Sequence, residues 1–302
     1  MSDPELTVVI PTYNRLETLR EVIPSLLRQD VSAQRYDIVV ADSNSNDGTA
    51  DYLATVARTD VRVRHLPGAY AGRAAARNAG IAAARGDLVL FTDADIIAAP
   101  DLLRHHLARH RADGDLAVVG MELQVGSFAE YERLRDHPAQ RRPLHPPSRK
   151  RLSWLYFLTG NASVRKRDLE RVGCFDESFT GYGHEDLELG YRLAHAGVTL
   201  FYQPRAVNYH WHPVPYDEQK SKMTLAGRST VRFYRKHPHF TVRARLGMTP
   251  LSLSLHAVLR RTPALVNRLE RAAAAKRGLA RELVLQYHYL NGVTAALARE
   301  RG

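Results

Sequence analysis

The chain has 302 residues, of which 44% are hydrophobic, so it is long enough for one large α/β domain with an appendage or for two ordinary domains, and wholesale disorder is excluded. A net charge of +11 favours anionic partners such as nucleotide phosphates, nucleic acid or an anionic membrane face. The single cysteine, Cys174, excludes an internal disulfide, and neither a membrane-spanning apolar run nor a secretory signal pattern is visible, so we expect a cytoplasmic protein.

Strand and helix patterns alternate along roughly the first hundred residues. The apolar run LTVVIPTY at 6–13 is followed by helical spacing at 14–29, and the stretch 36–57 repeats strand, polar loop and helix. A third unit leads from 61–67 through an Ala-rich segment into DLVLFTDADII at 87–97. This alternation predicts a parallel, doubly wound sheet.

The pattern changes after a helix that is expected to begin near Pro100 and Asp101. The later segments, in chain order, are predicted as a strand at 116–125, a long exposed basic loop around 131–151, a strand that turns into a helix at 158–173, an amphipathic helix at 183–197 that ends at Gly197, one or two short strands at 198–213, and helices from 218 onwards.

Polar side chains follow three of the predicted strands directly, at 12–14, 42–45 and 93–95. In a doubly wound sheet, ligands bind at the carboxyl ends of the strands, so these clusters are expected to share one rim. Asp93 and Asp95 alone allow three interpretations: a helix cap or turn, a carboxylate pair for acid/base chemistry, or a site for a hard cation completed by phosphate oxygens and water.

Four stretches stand in an order that resembles the family-2 glycosyltransferases: VVIPTYNR at 8–15, VVADSNSNDGT at 39–49, AARNAGI with DLVLFTDADI between 75 and 96, and FTGYGHEDLELGYRLAHAG at 179–197. The resemblance covers about residues 6–215 and implies the GT-A fold, an α/β architecture with a doubly wound, mostly parallel sheet, flanking helices and a C-terminal helical extension. We therefore expect a catalytic domain at 1–215, with a nucleotide-sugar half at about 1–100 and an acceptor half at about 101–215, and a helical region at 216–302.

The resemblance also implies which residues contact the nucleotide-sugar donor. Asp42 is expected to accept the imide N–H of a uracil base, although Ser43 stands where the family often has a second aspartate. Arg73 is a further candidate for a phosphate contact. The expected donor-binding residues are Pro11, Thr12, Tyr13, Asn14, Asp42, Arg77, Asn78, Asp93, Ala94, Gly160 and Asn161.

A divalent cation, Mn2+ or Mg2+, is implied as the cofactor that neutralises the leaving diphosphate. Asp95 is the expected carboxylate ligand, and His210 or His212 the expected imidazole ligand. Asp186 is implied as the general base towards the acceptor hydroxyl, with Glu185 hydrogen-bonding the acceptor. Helix capping is the alternative for this acid pair, but it does not explain the Gly-Tyr-Gly turn at 181–183.

The implied activity is the transfer of a single sugar from a nucleotide sugar, UDP-linked by preference, to a carbohydrate or lipid-linked acceptor, with inversion. Alternatives that stay open are a retaining transferase, a sugar-phosphate nucleotidyltransferase, and a basic protein that binds nucleic acid or lipid without catalysis, although no nucleic acid is expected. The basic loop could form a lid over the ligands, and the tail could lie on the anionic inner face of a membrane, pack on the catalytic domain or form an oligomer.

Overall fold

The computed structural model describes residues 3–112, 116–141, 147, 149–211, 214–275 and 278–299. The chain forms two compact units. The first unit comprises Met1–Thr180 and Glu185–Pro213, and the helical unit comprises Gly181–His184 and Val214–Gly302. The chain divides between residues 213 and 214, two residues before the boundary expected between 215 and 216. The grouping of residues 181–184 with the helical unit was not predicted.

A single mixed sheet forms the centre of the first unit. Its strands within the described residues are β1 (Leu6–Thr12), β2 (Tyr36–Asp42), β3 (Val63–Pro67), β4 (Leu88–Phe91), β5 (Ile96–Ala98), β6 (Leu116–Gln124), β7 (Arg151–Leu152), β8 (Ala162–Arg165) and β9 (Thr199–His210). The order is β3-β2-β1-β4-β8-β6-β9-β5, with β7 on β9. Strands β1 to β4, β6 and β9 run in one direction and β5, β7 and β8 run against them, which confirms the mostly parallel sheet.

Helices cover both faces of this sheet, which is why β1 and β2 are buried at every position. Successive side chains of a strand point to opposite faces, so Val8 and Ile10 join one apolar core whereas Val9 joins the other with Phe91. The helices of the first unit are α1 (Leu16–Leu27), α2 (Thr49–Thr59), α3 (Arg73–Ala83), α4 (Leu102–Ala112), α5 (Phe128–Asp136), α6 (Lys166–Arg171) and α7 (Glu185–His195).

Residues 88–98 form two strands where the sequence predicted one run. β4 ends at Phe91, a turn closes with a hydrogen bond from Ile96 N to Asp93 O, and β5 then pairs with β9 in antiparallel orientation. The turn therefore connects two strands of the sheet, and it carries both aspartates of the DAD stretch.

Strand β9 is one strand of 12 residues, so the prediction of one or two short strands was wrong in length. Its pairing with β6 shifts between Gly120 and Met121, which pair with Gln203 and Val207 respectively. Pro204 lies in this irregularity, where its missing N–H costs no ladder hydrogen bond, so the proline does not end the strand.

The segment expected as a basic loop at 131–151 is partly helical, so that prediction was wrong for its first residues. Helix α5 continues to Asp136 and a 3-10 turn follows at Pro138–Gln140. The sequence signal lies upstream, where Ser127 caps the helix by accepting from Glu130 N and the Glu130 carboxylate accepts from Gly126 N. Residues 142–146 and 148 lie outside the described residues.

The helical unit contains α8 (Tyr216–Lys236), α9 (Phe240–Arg245), α10 (Pro250–Arg260), α11 (Pro263–Ala275) and α12 (Leu279–Ala298). Helices α8 and α12 touch backbone to backbone at two glycines. A Cβ atom on Gly227 would lie 2.0 Å from Tyr289 O, and one on Gly292 would lie 2.0 Å from Thr224 O. Within the described residues, none of the helices combines the length and apolar character that crossing a bilayer requires.

Candidate active site

A cavity of about 450 Å³ opens at the carboxyl ends of β1 and β2 and beside the turn after β4. It brings together seven of the residues that the sequence singled out, namely Pro11, Thr12, Tyr13, Arg73, Asp93, Ala94 and Asp95. Ser43, from the polar cluster at 42–45, lines it too, together with residues that were not expected, among them Tyr70 and Gly72. The hydroxyl of Thr12 is buried and has no hydrogen-bond partner among the described residues, which leaves a polar atom for a ligand in this cavity.

Asp42 does not line the cavity. Its side chain is fully buried, Oδ1 accepts from both the N–H and the hydroxyl of Ser45, and Oδ2 lies 3.2 Å from His65 Nε2. Asn14, with φ of 50°, accepts from Asn46 N through its side-chain oxygen. Both residues thus shape the loop that presents Ser43 to the cavity, and their contact with a nucleotide stays a prediction.

Asn78 and Asn161 are also bonded within the protein. Asn78 donates to Phe175 O and accepts from Phe175 N, at 2.9 Å each. Asn161 donates to Met121 O and Ala206 O and accepts from the imidazole of His106, so it joins β8 to the irregular part of β6 and β9. Neither residue lines the cavity, and a donor contact of either one stays a prediction.

Arg77 connects the two acidic parts of the site. Its side chain is buried, Nη2 donates to Asp93 Oδ1 at 2.8 Å, and Nη1 donates to Glu185 Oε1 at 3.1 Å. Burial lowers the pKa of Arg77, but Asp93 and Glu185 outweigh burial and raise it, so the guanidinium stays charged. Arg77 therefore bridges two carboxylates, whereas Arg73, one helical turn earlier, lines the cavity.

The acid pair stands at the start of α7, after a turn in which Gly183 and His184 have φ of 86° and 75°. Asp186 accepts from Leu187 N, and Glu185 Oε2 is buried without a hydrogen-bond partner among the described residues. Burial raises the pKa of Asp186 to about 7, the negative charge of Glu185 adds to the rise, and Arg77 opposes it. A carboxylate whose pKa lies near neutrality is suited to accept a proton during a reaction.

Asp95 and His210 face each other across the β5 and β9 pair. His210 Nε2 lies 3.5 Å from Asp95 Oδ1, and His210 Nδ1 lies 3.3 Å from Oε1 of Glu122 on β6. Burial lowers the pKa of His210, but hydrogen bonds with Asp95 and Glu122 raise it to about 10. A metal ion would therefore have to displace the proton on Nε2 in order to bind there. His212, the other histidine of the prediction, lies outside the described residues.

Glu122 is a site residue that sequence reasoning missed. The feature that could have identified it is an acidic residue within the apolar run LAVVGMELQV. The first five residues of this strand are buried. Gly160 makes room for it, because a Cβ atom at position 160 would lie 2.2 Å from Glu122 Oε2. Gly160 therefore contacts Glu122 and does not line the cavity.

The donor atoms of Asp95 and His210 are of the kinds that bind a divalent cation. Two ligands of one small cation lie roughly 3 Å apart, close to the separation of Asp95 Oδ1 and His210 Nε2. A carboxylate on the far nitrogen, as Glu122 has on Nδ1, is the usual support of a metal-binding imidazole. Across the part of the chain that the structure describes, however, no three His, Cys, Asp or Glu side chains converge to hold an ion.

Comparison with known proteins gives relatives over most of the chain. The validoxylamine A glucosyltransferase of Streptomyces hygroscopicus subsp. jinggangensis is 31% identical over 268 residues, which cover 78% of this chain and 61% of that protein. A pre-mycofactocin glycosyltransferase of Mycobacterium tuberculosis is 32% identical over 248 residues, covering 80% of this chain and 50% of that protein. The chain thus spans between half and about three fifths of the length of these relatives.

Solved structures show the same fold. A mannosyltransferase from Pyrobaculum calidifontis, PcManGT, determined with GDP-Man and Mn2+, has a TM-score of 0.66 at 21% identity and covers 100% of this chain and 89% of its own. The S. aureus TarS 1-349 structure with UDP-GlcNAc has a TM-score of 0.59 at 18% identity, covering 99% and 92%. The GT-A architecture that the motifs predicted is thereby confirmed.

Two family descriptions match the chain. Residues 144–212 match the N-terminal domain of galactosyltransferase, and residues 7–173 match glycosyl transferase family 2. The second match alone covers more than half of the sequence and contains the DAD turn and all the described residues that line the cavity. The chain therefore belongs to glycosyl transferase family 2.

Proposed function

We propose that the protein transfers one sugar from a nucleotide sugar to a hydroxyl acceptor, with the help of a divalent cation and with inversion at the anomeric carbon. The observation that carries this proposal is the bridge of Arg77, which ties Asp93 of the cavity to Glu185 of the acid pair. One buried guanidinium thus joins a cavity suited to a nucleotide to the acid pair, in which the neighbouring Asp186 is suited to act as a base.

The donor would occupy the cavity at the ends of β1 and β2. Thr12 has a buried hydroxyl without a partner among the described residues, and Arg73 supplies positive charge for phosphate oxygens. We propose a UDP-linked sugar because TarS has been determined with UDP and with UDP-GlcNAc, although PcManGT has been determined with GDP-Man. A guanine nucleotide is accordingly the competitor in any binding test.

The proposed cation would be held by Asp95 and His210, with Glu122 fixing the imidazole and His212 as the other candidate from the sequence. When bound, such a cation neutralises the charge that develops on the diphosphate as it leaves. Asp93 is already paired with Arg77, so its role would be to fix the turn and to meet the ribose or a water molecule.

Asp186 would act as the general base. Its carboxylate accepts the proton of the acceptor hydroxyl, the acceptor oxygen forms a bond to the anomeric carbon, and the bond from that carbon to the diphosphate oxygen breaks. The nucleoside diphosphate departs with the bonding electrons. Glu185 would orient the acceptor through the oxygen that Arg77 does not contact.

The pH dependence of the reaction tests the base. Asp186 accepts a proton only when it is ionised, so kcat/KM should fall as the pH drops through a pKa of about 7, well above the usual range of an aspartate. Glu185→Gln removes a neighbouring negative charge and should move this acidic limb to lower pH. A limb near pH 4 in the wild type, unchanged in Glu185→Gln, would contradict the raised pKa of Asp186 and the influence of Glu185 on it.

We also propose peripheral contact with an anionic membrane, where a lipid-linked acceptor would be reached. Residues 214–302 carry 17 Lys and Arg against 5 Asp and Glu, whereas residues 1–213 carry 26 against 27, so the positive charge of the chain belongs to its helical part. On α10, Leu251, Leu255 and Val258 share one face and are 79%, 58% and 57% exposed. An exposed apolar face beside basic residues is typical of a helix that lies at a membrane surface.

Sedimentation with lipid vesicles tests this contact. The protein should sediment with phosphatidylglycerol vesicles and much less with phosphatidylcholine vesicles, and binding should weaken as salt is raised. Leu251→Ser with Leu255→Ser should lower the bound fraction without changing donor binding. A wild-type protein that stays in the supernatant with both lipids at low salt would contradict the membrane proposal and leave the donor chemistry untouched.

A further inference from the structure

A second cavity of about 450 Å³ lies within the helical unit, apart from the donor cavity. Four of its six described lining residues are arginines, and the other two are apolar: Arg228, Val231, Arg232, Arg235, Ala296 and Arg299. None of these described residues is acidic. We call this site the arginine cavity.

The packing of α8 against α12 builds the arginine cavity. The two helices touch at Gly227 and Gly292, where no side chain separates their backbones. Arg228, Arg232 and Arg235 follow at helical spacing on α8, and Arg299 stands directly after α12. The close helix contact therefore brings basic side chains from two helices around one space.

The rest of α8 shows that this concentration of charge is local. In its first turns, Lys220 pairs with Asp217 at 2.7 Å and Lys222 pairs with Glu218 at 2.9 Å. The second half of the helix, from Arg228 to Lys236, contains four basic residues and no acid. Positive side chains do suit the carboxyl end of a helix, but Arg228 lies more than two turns before that end, beyond the reach of this effect.

The composition of the arginine cavity indicates its ligand. A guanidinium offers a planar fork of N–H donors that matches phosphate oxygens in pairs, and it keeps its charge at every physiological pH. The volume is that of a small-molecule site and exceeds the needs of a simple inorganic ion. We propose that the arginine cavity binds a phosphate or diphosphate group, carried either by a lipid headgroup or by a free molecule.

The proposal of this site does not depend on the proposed transfer chemistry. Its test is designed so that metal-assisted binding of pyrophosphate in the donor cavity does not contribute to the measured signal. Pyrophosphate is titrated calorimetrically into the Asp95→Asn protein in the presence of a chelator, so that metal-assisted binding near the DAD turn is removed. The same background then receives Arg228→Gln with Arg232→Gln. A matched control receives Arg260→Gln with Arg261→Gln, which removes the same charge from the end of α10 in the same unit.

We expect the first pair of substitutions to weaken pyrophosphate binding at least tenfold and the control pair to change it less than twofold, with equal thermal unfolding midpoints for both proteins. Equal weakening by both pairs would overturn the proposal, because binding would then report net charge alone.

A second arm distinguishes the two sources of the phosphate. Vesicles that contain phosphatidic acid, whose phosphate is terminal, are compared with phosphatidylglycerol vesicles. A preference for phosphatidic acid that Arg228→Gln with Arg232→Gln abolishes would assign the site to a lipid headgroup, and pyrophosphate binding without this preference would assign it to a free phosphate compound. Failure to bind pyrophosphate together with no lipid preference would overturn the site altogether.

Discussion

Replacing Asp186 by Asn is expected to lower kcat by roughly 10²- to 10⁴-fold, the range that a positioned general base contributes. Asparagine keeps the size of the side chain but cannot accept the acceptor proton. The KM for the nucleotide sugar should change little, because Asp186 does not line the donor cavity. Steady-state kinetics with saturating donor measure both quantities.

The matched control for this substitution is Asp217→Asn. Asp217 also stands in the first turn of a helix, α8, but its side chain is 89% exposed. If Asp186 served only to satisfy the free N–H groups at the start of α7, the two substitutions would have similar small effects. Equal turnover of Asp186→Asn and the wild type would remove the base from the mechanism.

Replacing Arg77 by Met is expected to lower the free energy of unfolding by about 3–5 kcal/mol, the cost of breaking a buried ion pair on one side. Methionine keeps most of the apolar stem but leaves Asp93 and Glu185 without their shared cation. Because Glu185 is buried, its charge would then have little compensation. Urea unfolding followed by circular dichroism measures the change.

Arg104→Met is the control for this prediction. Arg104 pairs with Asp30 at 2.7 Å, but both side chains are largely exposed, at 51% and 40%, so the loss should lie within about 1 kcal/mol. Adding Glu185→Gln to Arg77→Met should recover part of the lost stability, since it removes one of the two carboxylate charges that have lost Arg77 as their partner. An Arg77→Met protein as stable as Arg104→Met would show that the bridge does not organise the site.

The sequence predicted the sheet and the position of its rim because both follow from local patterns. Continuous apolar runs indicate strands buried on both faces, and polar residues directly after them mark the carboxyl ends. Asp93, Asp95 and Thr12 therefore meet at one cavity as expected. The start of α7 near Glu185 could also be predicted, from the helical spacing of its apolar residues and from the glycines before it.

Contacts between side chains that are far apart in the sequence could not be predicted from it. Arg77 and Glu185 are separated by 108 positions, and no local pattern indicates that Arg77, which was expected to contact the nucleotide sugar, bridges two carboxylates. Glu122 and His210 meet through the pairing of β6 with β9, whose register shift no periodicity reveals. Asp42 was expected at the base of the nucleotide, yet its oxygens are engaged by Ser45 and His65.

The most direct test of the central claim is calorimetric titration with UDP, GDP and their sugar conjugates, each with Mn2+ and again with a chelator, on the wild type and on Asp95→Asn. We predict that one class of nucleotide binds, with the uridine class expected, and that binding weakens strongly when either the cation or the Asp95 carboxylate is removed. Absence of nucleotide binding under every condition, or binding indifferent to both the cation and Asp95, would contradict a cation-assisted nucleotide-sugar site.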